Sequence, residues 1–460
     1  MSTSSTDIST GPRLDRVLGL PSLILFGLAY MVPLTVFTTY GVVTDMTGGH
    51  LPGAYVVTLT AMLFTAYSYG RMVQAFPYAG SAYTYTQKAF GSHLGFMAGW
   101  ALLLDYLFLP MINYLVIGLY MAESFPSVPS AVWILGAIVL VTGLNILGIR
   151  LVAGMNLILV TFQLVFIAVF AVAAFRTMAG EGMPSLTDPF FGTGTETSTL
   201  LAGAAILCLS FLGFDAVSTL SEETHDPRRR VPLAIMLVTI TGGAMFIAIS
   251  YIGHLVFPNY EQFTDVDSAA LDVMEFAGGA FLTAFFTAAY VAGCFASAMA
   301  SQASVSRILY AMGRQGILPR PFFGYLSSRF HTPVRSTVLV GLLSCIALVI
   351  SLELAAAMIS FGALVAFSFV NLSVLKHYVI DEGRRTPADL FKYGLVPAIG
   401  VVLTLWLWTS LSGTTFVVGL SWVAVGFIYL LGLTRFFARR PPEMWRDEEM
   451  VEADDLQRVQ

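Results

Sequence analysis

Long apolar runs separated by short polar turns fill the chain from about residue 18 to residue 437. A helix that crosses a membrane needs roughly 20 apolar residues. Twelve stretches meet that length, near 18–44, 52–75, 92–121, 130–148, 151–175, 198–220, 231–257, 277–311, 333–352, 354–377, 391–411 and 414–437. The pattern predicts an all-α integral membrane protein with twelve transmembrane helices. The longest intervening loops, about 176–197, 258–276 and 312–332, leave no room for a soluble domain. Function must therefore reside among the helices.

The first, sixth and eighth runs carry internal Gly, Pro or polar residues. In the first, GLAYMVPLTVF contains Gly27 and Pro33. Pro33 lacks the N–H that would close the preceding turn, and it suits the first position of a new half-helix. A plain proline kink is the bland alternative. In the sixth, SFLGFDAVSTLSEET puts Gly213 just before Asp215. Glycine weakens a helix by about 1 kcal/mol relative to alanine. Unwound backbone inside a membrane is tolerated only where it is buried in protein or lines a cavity. Secondary transporters build substrate and ion sites from such broken helices. Breaks in spans one and six predict a 5+5 inverted repeat, about 18–175 and 198–377, followed by two extra helices at about 391–437. Span one enters from the cytoplasm and span six from outside, as inversion demands.

Composition changes the picture in one respect. Of 460 residues, 57% are hydrophobic and 11% charged, where a soluble domain carries about 25% charged residues. So few charges cannot coat a globule of this size, and lipid must solvate most of the surface. No basic stripe tracks a nucleic acid. Cys208, Cys294 and Cys345 lie in apolar spans without metal-ligand spacing, so no metal or cofactor is expected. A membrane-embedded enzyme would need paired acids with His or Cys on adjacent faces. His93, His225, His254, His331 and His377 lie near span ends or in loops, and His50 in the first external loop.

The net charge of −5 says little, but its distribution gives an orientation. Arg13 and Arg16 precede span one. Arg71 and Lys88 follow span two, Arg150 span four, and Arg228, Arg229 and Arg230 span six. Arg314, Arg320 and Arg329 follow span eight, Lys376, Arg384, Arg385 and Lys392 span ten, and Arg435, Arg439, Arg440 and Arg446 the last. The opposite loops carry Arg176 alone, and the loop from Pro258 to Glu275 is acidic. Positive loops stay in the cytoplasm. Both termini are therefore expected there, with residues 1–17 and 438–460 as cytoplasmic tails of an inner-membrane protein.

Two acids lie deep in spans: Asp105 in WALLLDYLFLP and Asp215 in FLGFD; Asp45 and Glu353 sit near span ends. A mid-helix carboxylate costs about 2.5–3.5 kcal/mol on insertion scales and usually marks a substrate or ion path. Asp215, at the predicted break, reads as the receptor of a cationic substrate. Asp105 could hold a second ammonium, carry a coupling proton, or brace a neighbouring helix. The cytoplasmic mouth holds Glu222, Glu223 and Arg228 to Arg230, with Arg71 and Arg307 as further members of a candidate salt-bridge gate. Topology signalling alone is the other reading of these charges.

FPYAGSAYTYTQKAFG at Phe76 to Gly91, GFMAGW at Gly95 to Trp100 and SFLGFD at Ser210 to Asp215 together resemble the amino acid–polyamine–organocation transporter superfamily. The resemblance runs from about Leu18 to Phe437 and implies the broken-helix fold and alternating access. GLAYMVPLTVF, LLDYLFLPMIN, GFDAVSTLSEET, SQASVSRILYAMGR and FGALVAFSFVNLSV look like the putrescine importers of enteric bacteria. They imply import of a diamine, coupled to protons or driven by the potential. An amino-acid importer of the same fold is the alternative, and a sensor that kept the fold without transporting is another.

In this superfamily, amino-acid carriers often have a Gly-Ser-Gly type run at the first break, where free N–H groups cradle the substrate carboxylate. Here the place reads Ala29, Tyr30, Met31, Val32, Pro33. Pro33 has no N–H and the bulky side chains fill the room glycine would leave. A weak anion cradle opposite a carboxylate favours amines without an acid. Carbonyls and walls would come from this segment and from Ser210, Phe211, Leu212, Gly213 and Phe214. Tyr30, Tyr106, Phe211 and Phe214 are candidate aromatic walls for the apolar stem. The resemblance also turns the stretch around Pro110 and Asn113 toward the substrate. Ser297 and Ser301, one turn apart on span eight, fit close helix packing or the remnant of a sodium site that some relatives keep between spans one and eight. Some proton-coupled relatives place a span-five Lys there; span five here has Asn156 and Gln163 and no Lys.

Overall fold

The computed structural model describes residues 16–181, 185–190, 197–438 and 441. Most of the two expected tails, including Arg13, Arg439, Arg440 and Arg446, lies outside the described residues. The elements run α1 Leu20–Met31, α2 Tyr40–Met46, α3 Leu51–Ala75, α4 Ser81–Phe90, α5 Ser92–Ser124, α6 Ser130–Leu147, α7 Ile149–Glu181 and α8 Thr197–Leu207. They continue with α9 Pro227–Val256, α10 Ala269–Arg314, α11 Arg320–Phe323, α12 Val334–Leu343, α13 Leu352–Val374, α14 Pro387–Asp389, α15 Val396–Trp408 and α16 Gly413–Thr434. No strand of regular length occurs among the described residues.

Eleven helices in the described residues are long and apolar enough to cross a membrane. Twelve were expected. At the place of the ninth stands a shorter apolar helix, Val334–Leu348, in which α12 tightens into a 3₁₀ turn at Ser344. The outer helices face lipid. Val139 of α6 is 72% exposed, Ile158 of α7 63%, Val402 of α15 65% and Ile428 of α16 68%, an arrangement that only an apolar solvent allows. The inner helices pack on one another and on their neighbours, α5 against α10 and α13, α1 against α9 and α10, and α10 also against α7.

Both interrupted helices part where the sequence predicts. α1 stops at Met31; Val32 takes φ 54° and ψ 101°, and Pro33 opens a 3₁₀ helix to Thr38. The last carbonyls of α1 are not left bare. Val32 N donates to Leu28 O at 3.1 Å, and Thr35 Oγ1 to Met31 O at 2.9 Å. α8 passes into a 3₁₀ turn over Cys208–Phe211, extends at Leu212 and turns at Gly213, and a second 3₁₀ helix runs from Ala216 to Glu223. α10 is also divided, by non-helical backbone at Gly278 and Gly279.

Gly213 has φ +125°, and a Cβ there would lie 2.5 Å from Cδ1 and 2.9 Å from Cβ of Tyr30. The two breaks therefore touch, ring against backbone. Backbone strain of this kind costs about 1–3 kcal/mol for a residue with a side chain, before the clash is counted. Gly213→Ala is expected to lower the thermal unfolding midpoint of the purified protein in detergent. A midpoint equal to wild type would show that Tyr30 and the turn yield freely.

The broken helices are also tied at their other ends. Val17 N and Leu18 N both donate to Glu223 O at 2.9 Å, and His225 N to Leu18 O at 3.1 Å. The segment entering α1 thus pairs with the end of the helix that begins beyond the second break.

Candidate functional site

Asp215 stands immediately before the Ala216–Glu223 helix and is 2% exposed. Tyr106 Oη donates to its Oδ2 at 2.8 Å, and the amide of Gly213 donates to its Oδ1 at 3.2 Å. Among the described residues no ion pair reaches it. A buried carboxylate is costly unless paired, and two hydrogen bonds leave it short of a positive charge.

The walls are aromatic. The rings of Tyr30 and Tyr106 meet edge-on at 6.3 Å. Tyr69 on α3 sits edge-on to Tyr85 of α4 at 6.1 Å, to Phe214 at 5.8 Å and to Phe367 of α13 at 6.1 Å. Phe214 stacks on Phe367 at 5.4 Å. The hydroxyl of Tyr30 is buried without a partner among the described residues, while those of Tyr69 and Tyr85 lie beside the Ser81 and Ser218 hydroxyls. Phenol oxygens can accept from an ammonium, and ring faces attract it. Asp105, 1% exposed, is the chain neighbour of Tyr106, which bonds Asp215. The enclosure can desolvate a cation, neutralise it with carboxylate oxygen and cover an apolar stem.

The remaining site residues divide into two groups. Of the first-break segment, Tyr30 faces Gly213 and Tyr106. Ala29 packs with Val160 and Ala296, Met31 with Gly242 of α9, and Val32 with Gly293 of α10, while Pro33 is buried as the first residue of its half-helix. Ser297 Oγ donates to the free Tyr30 carbonyl at 2.8 Å and accepts from Asn113 Nδ2 at 3.0 Å. Ser297 and Asn113 thus link α10 and α5 to the carbonyl at the first break. Ser301 donates to Ser297 O within its own helix. Pro110 has no N–H for the carbonyl four residues back, that of Tyr106. Ser210 Oγ lies 3.3 Å from Tyr55 Oη, Phe211 meets Phe246 edge-on at 5.3 Å, and Leu212 is buried. On α7, both amide atoms of Asn156 and Oε1 of Gln163 are buried without partners among the described residues.

Beyond the second break Arg307 grips Glu223 with two nitrogens: Nε bonds Oε2, and Nη2 donates to Oε1 at 2.9 Å. The pair is 4% and 2% exposed. Glu222 accepts from Arg314 at 3.2 and 3.3 Å and from the Ala79 amide at 3.3 Å. Arg71 stands apart, over the rings of Tyr67 and Tyr393 and bonded to Gln74. Sequence reasoning missed Arg314 as a partner of Glu222, and Tyr69, Tyr85 and Phe367 as walls. Tyr85 lies inside the FPYAGSAYTYTQKAFG stretch; nothing in the one-dimensional pattern separates Tyr69 and Phe367 from other aromatic residues of their helices.

A bundle of membrane-length helices with a polar enclosure at paired helix breaks is the architecture of a multi-pass membrane permease. The chain belongs to the amino acid permease family, whose sequence profile matches residues 22–452. It is 41% identical over 454 residues to the low-affinity putrescine importer PlaP of Escherichia coli K12, an alignment that covers 97% of this chain and all of that protein. It is 27% identical over 445 residues to the branched-chain amino acid permease BcaP of Bacillus subtilis, covering 90% and 92% of the two chains. The methylthioribose transporter of the same organism is 27% identical over 452 residues, covering 92% and 94%.

Proposed function

We propose that this protein imports a polyamine, putrescine foremost, across the bacterial inner membrane by proton symport with alternating access, rather than catalysing a reaction. The observation that carries this is Asp215: a carboxylate sealed at a helix break, ringed by aromatics and lacking a cation among the described residues. The likeness to an importer of putrescine supports the same substrate. In this reading the chain crosses the membrane twelve times, with Val334–Leu348 as the ninth crossing. Two inverted five-helix repeats, about 18–175 and 198–377, form the carrier, and the helices at about 391–437 are additions. Both termini are cytoplasmic.

Binding places one ammonium on Asp215, with Tyr30, Tyr106, Phe211 and Phe214 walling the stem. The segments Ala29–Pro33 and Ser210–Phe214 rearrange as one helix group rocks against the rest. Glu223–Arg307 and Glu222–Arg314 form the cytoplasmic gate. Ser297 and Ser301 donate to protein carbonyls, which favours a bracing role over a sodium site. The driving force is ample: a dication falling through 100 mV gains about 4.6 kcal/mol, more than a thousandfold in concentration.

Uptake of labelled putrescine into proteoliposomes, with potential and pH gradient imposed separately, tests the reading. Accumulation is expected under an inside-negative potential alone, and an inside-alkaline gradient is expected to raise it further. No response to pH at fixed potential would remove the proton. Cadaverine is expected to compete well and alanine or arginine poorly. Equal competition by these amino acids would favour an amino-acid carrier. Binding without accumulation would make the protein a sensor.

A further inference from the structure

Asp105 and Tyr106 are consecutive on α5, so their side chains leave the helix about 100° apart. Tyr106 turns to Asp215. Asp105 turns toward α13, which comes close enough that a methyl on Gly362 would lie 3.1 Å from the Asp105 Cβ and 2.6 Å from its amide nitrogen. Glycine at 362 therefore lets a second helix seal the acid from lipid. Yet the seal supplies no partner. Oδ1 of Asp105 is buried without a hydrogen bond, and among the described residues no ion pair reaches it. A bracing carboxylate would show the contact it braces.

Two carboxylates thus stand beside one aromatic cluster: Tyr106, the chain neighbour of Asp105, bonds Asp215 and meets the ring of Tyr30, whose hydroxyl is buried without a partner among the described residues. Both acids call for positive charge. A monoamine neutralises one and leaves the other unpaired. A zwitterionic amino acid brings its own acid up against the second carboxylate. An α,ω-diamine brings two cations at the ends of an apolar stem, which the tyrosine rings can cover. The geometry points to Asp105 as the anchor of the second ammonium, so that the site is built for a diamine and not for a single amine. This rests on the polyamine reading above, and it adds which acid selects for the second charge.

Displacement of labelled putrescine from the purified full-length carrier by unlabelled putrescine and by n-butylamine, at fixed pH, tests the assignment. Wild type is expected to prefer putrescine over n-butylamine by a factor on the order of 30 to 1,000. In Asp105→Asn, putrescine is expected to weaken to within about threefold of n-butylamine, whose own affinity stays within about threefold of wild type. A variant that keeps the wild-type ratio, or weakens both amines together, would overturn the assignment. Asp105→Glu carries the same charge on a longer arm. It is expected to shift the preference from putrescine toward 1,3-diaminopropane, and an unchanged order would count against the anchor. Equal affinity of wild type for putrescine and n-butylamine would sink the anchor alone. No binding of either compound to wild type would sink the polyamine reading with it.

Discussion

Asp215→Asn is expected to abolish measurable putrescine uptake and to weaken putrescine binding on the order of 30- to 5,000-fold, the cost of removing one member of a buried charge pair. The substitution is nearly isosteric but does two things. It removes the negative charge that an ammonium would meet, and it halves the acceptors. Asp215 takes hydrogen bonds from Tyr106 Oη and from the Gly213 amide on different oxygens. Asparagine offers one oxygen, so one donor loses its acceptor. The unfolding midpoint should fall slightly while binding collapses. Tyr106→Phe separates the two effects, since it keeps the ring against Tyr30 and removes only the phenol bond. Its loss should be smaller, on the order of 10- to 150-fold, the worth of one hydrogen bond to a charged group. Isothermal titration of both purified variants with putrescine checks this. Wild-type affinity in Asp215→Asn would remove the carboxylate from substrate recognition.

The breaks were legible because their causes are local. Pro33 cannot join the preceding turn, and glycine before an acid is a poor sequence for a continuous membrane helix; both effects act within a few residues of backbone. The packing between the breaks was not legible. Tyr30 lies on Gly213 because α1 and the sixth run cross there, and a contact across 183 positions leaves no periodic trace. The same holds for Tyr69 and Phe367, which reach Phe214 from α3 and α13. Span number blurred at Val334–Leu348, where the apolar run predicts a full crossing and the backbone tightens into a 3₁₀ turn and stops at Val349, 87% exposed. The ion pairs of Glu222 and Glu223 were legible as charge but not as pairing. Guanidinium groups cluster at cytoplasmic loops for topological reasons as well, so composition alone could not separate Arg307, fully buried on Glu223, from Arg71, which rests on tyrosines.

Arg307→Ala is expected to cost about 3–5 kcal/mol of stability, because it strands the Glu223 carboxylate in a site with almost no access to water. The damage should spread beyond one pair. The Glu223 carbonyl accepts both Val17 N and Leu18 N, while its side chain holds Arg307 of α10. One residue thus ties the entry of α1, the end of the sixth-run half-helix and α10, the elements that must separate if the cytoplasmic side is to open. A double variant tells a gate from a brace. Replacing a buried pair by apolar residues of similar size is often neutral or stabilising, so Glu223→Leu with Arg307→Met should recover the unfolding midpoint. Recovery of transport is the separate question. An ion pair can part into water, because each charge is well hydrated once exposed; two apolar side chains resist the same wetting. A gate therefore predicts a double variant with wild-type stability and slow putrescine uptake. Full recovery of uptake would make the pair a structural tie alone, with the opening of the cytoplasmic side controlled elsewhere, Glu222 and Arg314 being the next pair to test.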